Sequence, residues 1–229
     1  SDVNHIKNVL RMKPGEKIRV CTRSGQNYFC SISDVAESFV RADILEKEAE
    51  STELPCRIYL FQGLPKNDKM EWIIQKTVEL GVYEVIPVAM KNCVVKLDDK
   101  KAKSKVMRWQ AIAESAAKQS KRSLIPEVKM PMSYKEAVAY AKELDVKLVP
   151  YENEHGMAGT KAAMEQIKKG ESIAVFIGPE GGFAPEEIAL VQDEMQLISL
   201  GKRILRTETA GIAALAILGY QLESSDMIE

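Results

Sequence analysis

The sequence has few of the residues that build metal centres and disulfide frameworks. It contains two histidines, and its four cysteines, Cys21, Cys30, Cys56 and Cys93, form no C-x-x-C pair. Zinc sites and disulfide scaffolds need clustered or regularly spaced Cys and His residues. We therefore predict no bound metal, no disulfide framework, and reduced thiols in a cytoplasmic protein.

Long apolar runs are also missing. No stretch approaches the roughly 20 residues that span a bilayer, and the first residues do not have the pattern of a secretory signal. Hydrophobic residues make up 45% and charged residues 28% of the 229-residue chain, values typical of a globular protein in water. The sequence predicts no membrane association, and its length fits one large domain or two small ones.

Two glycine-bearing turns near the C-terminus are the main pattern of the sequence. Apolar runs at 173–177 and 197–200 precede them, and such short runs are typical of buried parallel strands. Neither turn has the spacing of a Rossmann or P-loop phosphate site. Because parallel sheets bind ligands at the carboxyl ends of their strands, the two turns favour a cavity for a flat or uncharged ligand. Simple tight turns between strand and helix are the alternative.

The sequence pattern changes near residue 63. Strand patterns at 17–22 and 28–32 flank a turn at 24–27, and a further strand is predicted at 56–61. Helical and strand patterns alternate after that point, as in a domain with a parallel sheet. We therefore predict two domains, 1–63 and 64–229.

Several local signals mark helices in the second domain. Asp68 and Glu71 have the spacing of a capping box, and Gly81 suits the end of that helix. Pro185 suits the first position of another helix. A helix over 99–120 is predicted to bury Trp109 in the core rather than display it for base stacking.

The net charge of −1 conceals an uneven distribution. Residues 1–23 carry six Lys or Arg against two acids, and residues 100–122 carry eight against Glu114 alone. Two basic regions indicate affinity for a polyanion such as RNA, although a solvated helix face explains either region taken singly.

The two turns carry a resemblance to a known family. Residues 177–183 (IGPEGGF) and 200–210 (LGKRILRTETA) resemble the paired signatures of the RsmE family. These SPOUT-class methyltransferases use S-adenosylmethionine (SAM) to methylate N3 of a uridine in 16S ribosomal RNA. The likeness extends to 64–76, to Arg108 and Trp109 with Glu114, to 119–120 and Arg122, and to 5–6 with 9–12. It covers nearly the whole chain.

The resemblance implies an α/β fold and a homodimer. The expected architecture is a SPOUT-type trefoil-knot methyltransferase domain, with 204–210 tucked through the knot, behind a small PUA-like β-barrel that binds RNA. Family members usually carry a leading segment before the residue that matches His5, so this barrel is expected to lack its first strand. Asn92 stands where the family usually has Arg. An RNA-binding protein with lost or altered catalysis is therefore the alternative function.

The resemblance also implies site residues, and the chemistry suggests their roles. Arg206 is the candidate for stabilising the uracil anion that forms when N3 loses its proton, and Glu180 or Glu208 for accepting that proton. An ion pair between Arg206 and Glu208 is the structural alternative, and His155 is interpreted as a loop residue. The expected SAM-binding residues are Tyr151, Ile177, Gly178, Pro179, Glu180, Gly181, Gly182, Leu200, Gly201, Ile204, Leu205, Arg206, Thr209 and Ala210. The expected contacts to 16S rRNA or the small ribosomal subunit are His5, Arg11, Arg23, Lys91, Lys96, Arg108, Lys121 and Arg122.

Overall fold

The protein is described from a computed structural model, which covers residues 2–22, 25–48, 51–154 and 156–224. The chain forms two compact units, Ser1–Glu53 and Leu54–Glu229. Each unit has its own sheet, and we describe them separately.

The first unit is built around an antiparallel sheet with the strand order β1-β2-β3. A short helix α1 (Asp2–Asn4), continued by a π-helical turn (His5–Val9), precedes strands β1 (Lys17–Cys21), β2 (Asn27–Val35) and β3 (Val40–Lys47). The strands predicted at 17–22 and 28–32 are confirmed. Strand β3 was not predicted, because most of its side chains are exposed and charged residues interrupt its apolar pattern.

The strand predicted at 56–61 belongs to the second unit, which corrects the predicted domain boundary. Strand β4 (Arg57–Gly63) lies between β9 and β5 in a parallel sheet, and the two units divide after Glu53 rather than after residue 63. Its residues from Ile58 onward are buried on both faces, as expected for a central parallel strand covered by helices.

The second unit is an α/β fold, as predicted. Within the described residues its strands pair in parallel in the order β10-β8-β9-β4-β5-β6, and β7 also pairs with β5. The further strands are β5 (Val82–Ala89), β6 (Glu127–Val128), β7 (Met132–Ser133), β8 (Val146–Pro150), β9 (Ser172–Ile177) and β10 (Gln196–Ile198). The helices are α2 (Lys69–Glu79), α3 (Asp99–Gln119), α4 (Tyr134–Ala141), α5 (Ala158–Glu165), α6 (Pro185–Val191) and α7 (Thr207–Ser224).

Alternate side chains of the central strands contribute to two apolar cores, one on each face of the sheet. Ile58 and Leu60 of β4 face one core, while Tyr59 and Phe61 face the other. The Phe61 ring stacks on that of Phe176 with 4.3 Å between centroids. Trp109 is 4% exposed within the first core, so its predicted structural role is confirmed.

The helix boundaries follow the predicted signals with one exception. Pro185 opens α6, and Gly81 follows the end of α2 with φ of +92°, a conformation that favours glycine. Asp68 precedes α2 but makes no capping hydrogen bond, so the predicted capping box is wrong. Its carboxylate instead lies 3.7 Å from the ammonium of Lys105. Among the described residues no helix is long and apolar enough to cross a membrane.

Candidate active site

A cavity of about 550 Å³ opens at the carboxyl ends of β8, β9 and β10. Its volume lies within the roughly 300–1,000 Å³ typical of small-molecule sites. The walls come from the loops that follow these three parallel strands and from the start of α7, which confirms the crevice predicted from the two glycine-bearing turns. The predicted SAM-binding residues that line it are Tyr151, Ile177, Gly178, Pro179, Glu180, Gly182, Leu200, Gly201, Ile204, Leu205, Arg206 and Ala210.

Two residues predicted to bind SAM, Gly181 and Thr209, do not line this cavity. The glycine lies on the outer side of its loop against Asn92, and the threonine is exposed on α7. Sequence reasoning missed Lys69, Glu152, Phe183 and Thr207, which do line the cavity. Lys69 lies within the family-like stretch 64–76, which was the one available signal for it.

The first loop, residues 178–183, is a tight turn packed against the end of β4. The N–H of Gly182 donates to the carbonyl of Pro179 over 2.9 Å, and Gly182 has φ of +65°. A Cβ atom on Gly63 would lie 2.7 Å from the Pro179 nitrogen, so only glycine allows this approach. The loop is thereby held in one conformation along the cavity wall.

The second loop, residues 199–206, is fixed by a buried threonine of α5. Thr160 accepts a hydrogen bond from the Ser199 N–H and donates one to the Ser199 carbonyl, both over 2.9 Å. Gly201, two residues further on, has φ of +108°. The Thr160 hydroxyl therefore provides a hydrogen-bond partner for both the N–H and the carbonyl of Ser199, at the point where the strand ends and the cavity begins.

A buried pair joins the central strand to the last helix. The Gln62 amide donates to Oγ1 of Thr207 over 2.9 Å, and Thr207 donates to the carbonyl of Gly178 over 2.6 Å. Gln62 is fully buried, and its Oε1 has no hydrogen-bond partner among the described residues. This chain of contacts fixes the start of α7 against the first loop.

Lys69, at the start of α2, bridges two carboxylates beside the cavity. Its ammonium lies 3.1 Å from Glu180 and 3.2 Å from Glu208, although the contact to Oε2 of Glu208 is not aligned as a hydrogen bond. Burial tends to raise the pKa of Glu180, but its own N–H, the Lys66 N–H and the Lys69 ammonium together hold that pKa below its usual value. The hydrogen bond to Glu180 chiefly raises the pKa of Lys69. Lys69 and Glu180 therefore both stay charged at neutral pH.

Arg206 lies on the cavity wall and is exposed. Within the described ranges its guanidinium makes no hydrogen bond or ion pair, so it is available to a ligand. The alternative of an Arg206–Glu208 ion pair is wrong, because the carboxylate of Glu208 pairs with Lys69 instead. Glu208 itself does not line the cavity.

Asn92, the residue that departs from the family pattern, contacts the first loop. Its Nδ2 donates to the carbonyls of Gly181 and Gly182 over 3.0 and 3.2 Å. Asn92 thus braces the cavity loop from behind.

The residues predicted to bind RNA differ in their exposure and in their partners. Arg122 is 8% exposed, and its guanidinium donates to the backbone carbonyls of Val78 and Val82, so the prediction that it contacts RNA is corrected to a structural role. Arg108 pairs with Glu71 and Lys91 pairs with Glu186 at the surface. His5, Arg11, Lys96 and Lys121 are exposed. Arg23 and His155 lie outside the described residues.

No group of three or more His, Cys, Asp or Glu side chains in the described part of the chain has an arrangement that could hold a metal ion.

Comparison with known proteins identifies both units. The RNA methyltransferase domain family matches residues 52–219, and the RNA methyltransferase PUA domain family matches residues 1–45. The ribosomal RNA small subunit methyltransferase E of Bacillus subtilis is 40% identical over 97% of this chain and 88% of its own length. The enzyme of that name from Mesomycoplasma hyopneumoniae is 37% identical over 92% of this chain and 87% of its own length.

A solved structure agrees with these matches. The ribosomal RNA small subunit methyltransferase E from Neisseria gonorrhoeae, bound to S-adenosyl methionine, superposes with a TM-score of 0.80 and is 34% identical. The superposition covers 96% of this chain and 88% of that one. The sequence matches and the shared α/β fold with its N-terminal PUA-like unit agree. The chain therefore belongs to the ribosomal RNA small subunit methyltransferase E family.

Proposed function

We propose that the protein transfers the methyl group of SAM to N3 of a uridine in 16S rRNA of the small ribosomal subunit. The observation that carries this proposal is the cavity at the carboxyl ends of β8, β9 and β10, with Arg206 on its wall and no ion-pair partner for Arg206 among the described residues. Relatives that share the fold bear the name of a small-subunit rRNA methyltransferase, and one was solved with S-adenosyl methionine.

The residues of the cavity fit SAM. Ile177, Leu200 and Leu205 supply apolar surface for a flat base. The lining also holds both carboxylates and cations, which suits a ligand that carries charges of both signs, as SAM does. When bound, SAM supplies an electrophilic methyl group on a sulfonium centre. The rigid loops on either side contribute by positioning, which supplies much of the acceleration in such a transfer.

Arg206 is proposed to stabilise the charge that develops on the uracil. N3 carries a proton at neutral pH, so the ring becomes an imide anion as that proton leaves. A guanidinium next to a carbonyl oxygen stabilises this anion as an oxyanion hole does. Arg206 suits the role because it reaches the cavity and has no competing partner among the described residues.

Glu180 or Glu208 is proposed to accept the proton from N3. Both carboxylates lie beside the Lys69 ammonium, at 3.1 and 3.2 Å. Glu180 lines the cavity, but it also accepts the Lys66 N–H over 3.0 Å, and its donors hold its pKa low. Glu208 does not line the cavity, but its Oε2 accepts no hydrogen bond within the described residues.

Exposed basic residues are proposed to hold the rRNA. A uridine must leave its stack to reach a cavity, and phosphate contacts offset that cost. The N-terminal unit, which matches a PUA domain family, and the basic face of α3 are the proposed RNA-binding regions. The proposed contacts are His5, Arg11, Arg23, Lys91, Lys96, Arg108 and Lys121.

We also propose a cytoplasmic homodimer that forms through α7. This helix is apolar around most of its circumference, and Tyr220 on it is 75% exposed. Exposed apolar faces of this kind mark interfaces, and homodimers with a twofold axis are the commonest assembly. Light scattering tests this: the protein should run as a dimer and Tyr220→Glu as a monomer. A wild-type monomer would refute the proposal.

Methyl transfer tests the proposed function directly. Purified protein, labelled SAM and small-subunit RNA should yield 3-methyluridine on nucleoside analysis. SAM binding without transfer would favour the alternative, a non-catalytic RNA-binding protein on this fold. Arg206→Ala should abolish transfer while RNA affinity is unchanged, and Arg206→Lys should retain part of the rate because the charge remains. A normal rate in Arg206→Ala would remove this residue from the mechanism.

A further inference from the structure

Asn92 and the first cavity loop meet through a pair of hydrogen bonds. Both Nδ2 contacts go to consecutive carbonyls, Gly181 at 3.0 Å and Gly182 at 3.2 Å. A Cβ atom on Gly181 would lie 3.0 Å from the Cβ of Asn92, so the approach is close enough to favour glycine there. The amide has two N–H groups, one for each carbonyl.

The segment that carries Asn92 is itself anchored. The preceding residue, Lys91, donates its backbone N–H to Oε1 of Glu187 over 2.8 Å. The other oxygen of that buried carboxylate accepts the Ala184 N–H over 2.8 Å. Asn92 is therefore presented from a fixed backbone, and Glu187 ties that backbone to the far end of the same loop.

The two hydrogen bonds set the direction of one donor in the cavity wall. In a trans peptide the C=O and N–H point in opposite directions, and the described chain has no cis bond. Because the Gly182 carbonyl points to Asn92, the Phe183 N–H points away from Asn92. Gly182 and Phe183 line the cavity and Asn92 does not. Within the described part of the chain this N–H has no acceptor, whereas the neighbouring Gly182 N–H is bonded to Pro179.

We propose that Asn92 is a positioning residue that fixes the peptide between Gly182 and Phe183, so that the Phe183 N–H donates to an acceptor atom of the ligand. The acceptor is an oxygen or nitrogen of SAM or a carbonyl oxygen of the uracil, and this step rests on the proposed function. Asparagine suits the task because it is short and offers two donors. Aspartate has the same shape but can only accept, so it would repel both carbonyls.

The test compares Asn92→Asp with wild type in binding and in turnover. If SAM is the acceptor, the Kd for SAM by calorimetry should rise about tenfold, the effect of losing one well-placed hydrogen bond. If uracil is the acceptor, that Kd should stay the same and kcat/KM for RNA should fall by about the same factor. Wild-type values for both would overturn the proposal. Gln196→Glu is the matched control, because it makes the same amide-to-acid change at the start of β10, away from the cavity.

A second measurement keeps the inference separate from the proposed function. The chain has five phenylalanines, so ¹⁵N-Phe labelling gives a simple amide spectrum in which Phe183→Leu assigns the signal of interest. Asn92→Asp should shift the Phe183 signal in the protein without ligand, and Gln196→Glu should not. An unshifted signal in Asn92→Asp would overturn the positioning role even if the protein methylates RNA. Conversely, a wild-type protein that binds no SAM would refute the proposed function alone.

Discussion

Replacing Thr207 with valine should lower the free energy of unfolding of the second unit and the affinity of the cavity for its ligand. The side chain is 5% exposed and its hydroxyl satisfies two groups: the Gly178 carbonyl at 2.6 Å and the Gln62 amide at 2.9 Å. Valine keeps the shape but satisfies neither. The amide retains its contact to Gly63 over 3.0 Å, so the main penalty falls on the carbonyl. At about 1–2 kcal/mol for the carbonyl and about 1 kcal/mol for the amide, the expected loss is about 2–3 kcal/mol.

Urea denaturation followed by circular dichroism measures this loss as a shift of the midpoint at constant slope. Thr209→Val is the matched control, because that side chain is exposed on the same helix and its change should cost less than about 0.5 kcal/mol. The affinity of Thr207→Val for SAM should also fall, since Thr207 and its acceptor Gly178 both line the cavity. A loss in Thr207→Val no larger than in the control would show that the hydroxyl does not fix α7.

Three further outcomes follow from the structure. Gly63→Ala should cost about 1–3 kcal/mol in urea denaturation, because its Cβ would lie 2.7 Å from the facing backbone, whereas Gly159→Ala has no neighbour within 4 Å and should cost nothing. Arg122→Met should lower stability by about 2–3 kcal/mol, because two backbone carbonyls lose a charged donor. It should leave the salt dependence of RNA binding unchanged, and a smaller dependence on salt would show that Arg122 does contact RNA. Burial tends to raise the pKa of Glu180, but its hydrogen-bond donors lower it below the usual value. Ionised Glu180 therefore stabilises the fold above the unfolded pKa of about 4.3, and this stabilisation is lost as the pH falls through the folded pKa. The stability difference between wild type and Glu180→Gln should therefore be constant near neutral pH and shrink in acid; a difference that grows in acid would contradict this sign.

The sequence was sufficient for the features that depend on local pattern. The strand at 173–177, the helix start at Pro185 and the burial of Trp109 all follow from periodicity or from the backbone properties of a single residue. The location of the cavity follows as well, because parallel strands that end in glycine-bearing loops leave few other places for a ligand.

The missed features all depend on partners that are distant in the chain. Gln62 and Thr207 are 145 residues apart, and the Lys66 N–H meets Glu180 across 114 residues. Arg122 looked like an RNA contact because its neighbours are basic, and only the fold shows that it turns inward to carbonyls 44 and 40 residues away. The strand at 57–63 was assigned to the wrong unit for the same reason, since its partners β5 and β9 come later. Passage of 204–210 through a knot and dimer formation stay predictions.

The hydrogen bond between Gln62 and Thr207 has a consequence for synthesis of the chain. Every strand of the parallel sheet is made before residue 207, so a nascent polypeptide can assemble the sheet while the helix that closes the cavity is still untranslated. A chain released early would lack the cavity wall at the start of α7 and also Leu215, Leu218 and Leu222, which are buried in one of the two cores. Competence thus depends on a segment that leaves the ribosome after the whole sheet, and the ribosome is the particle whose RNA is the proposed substrate.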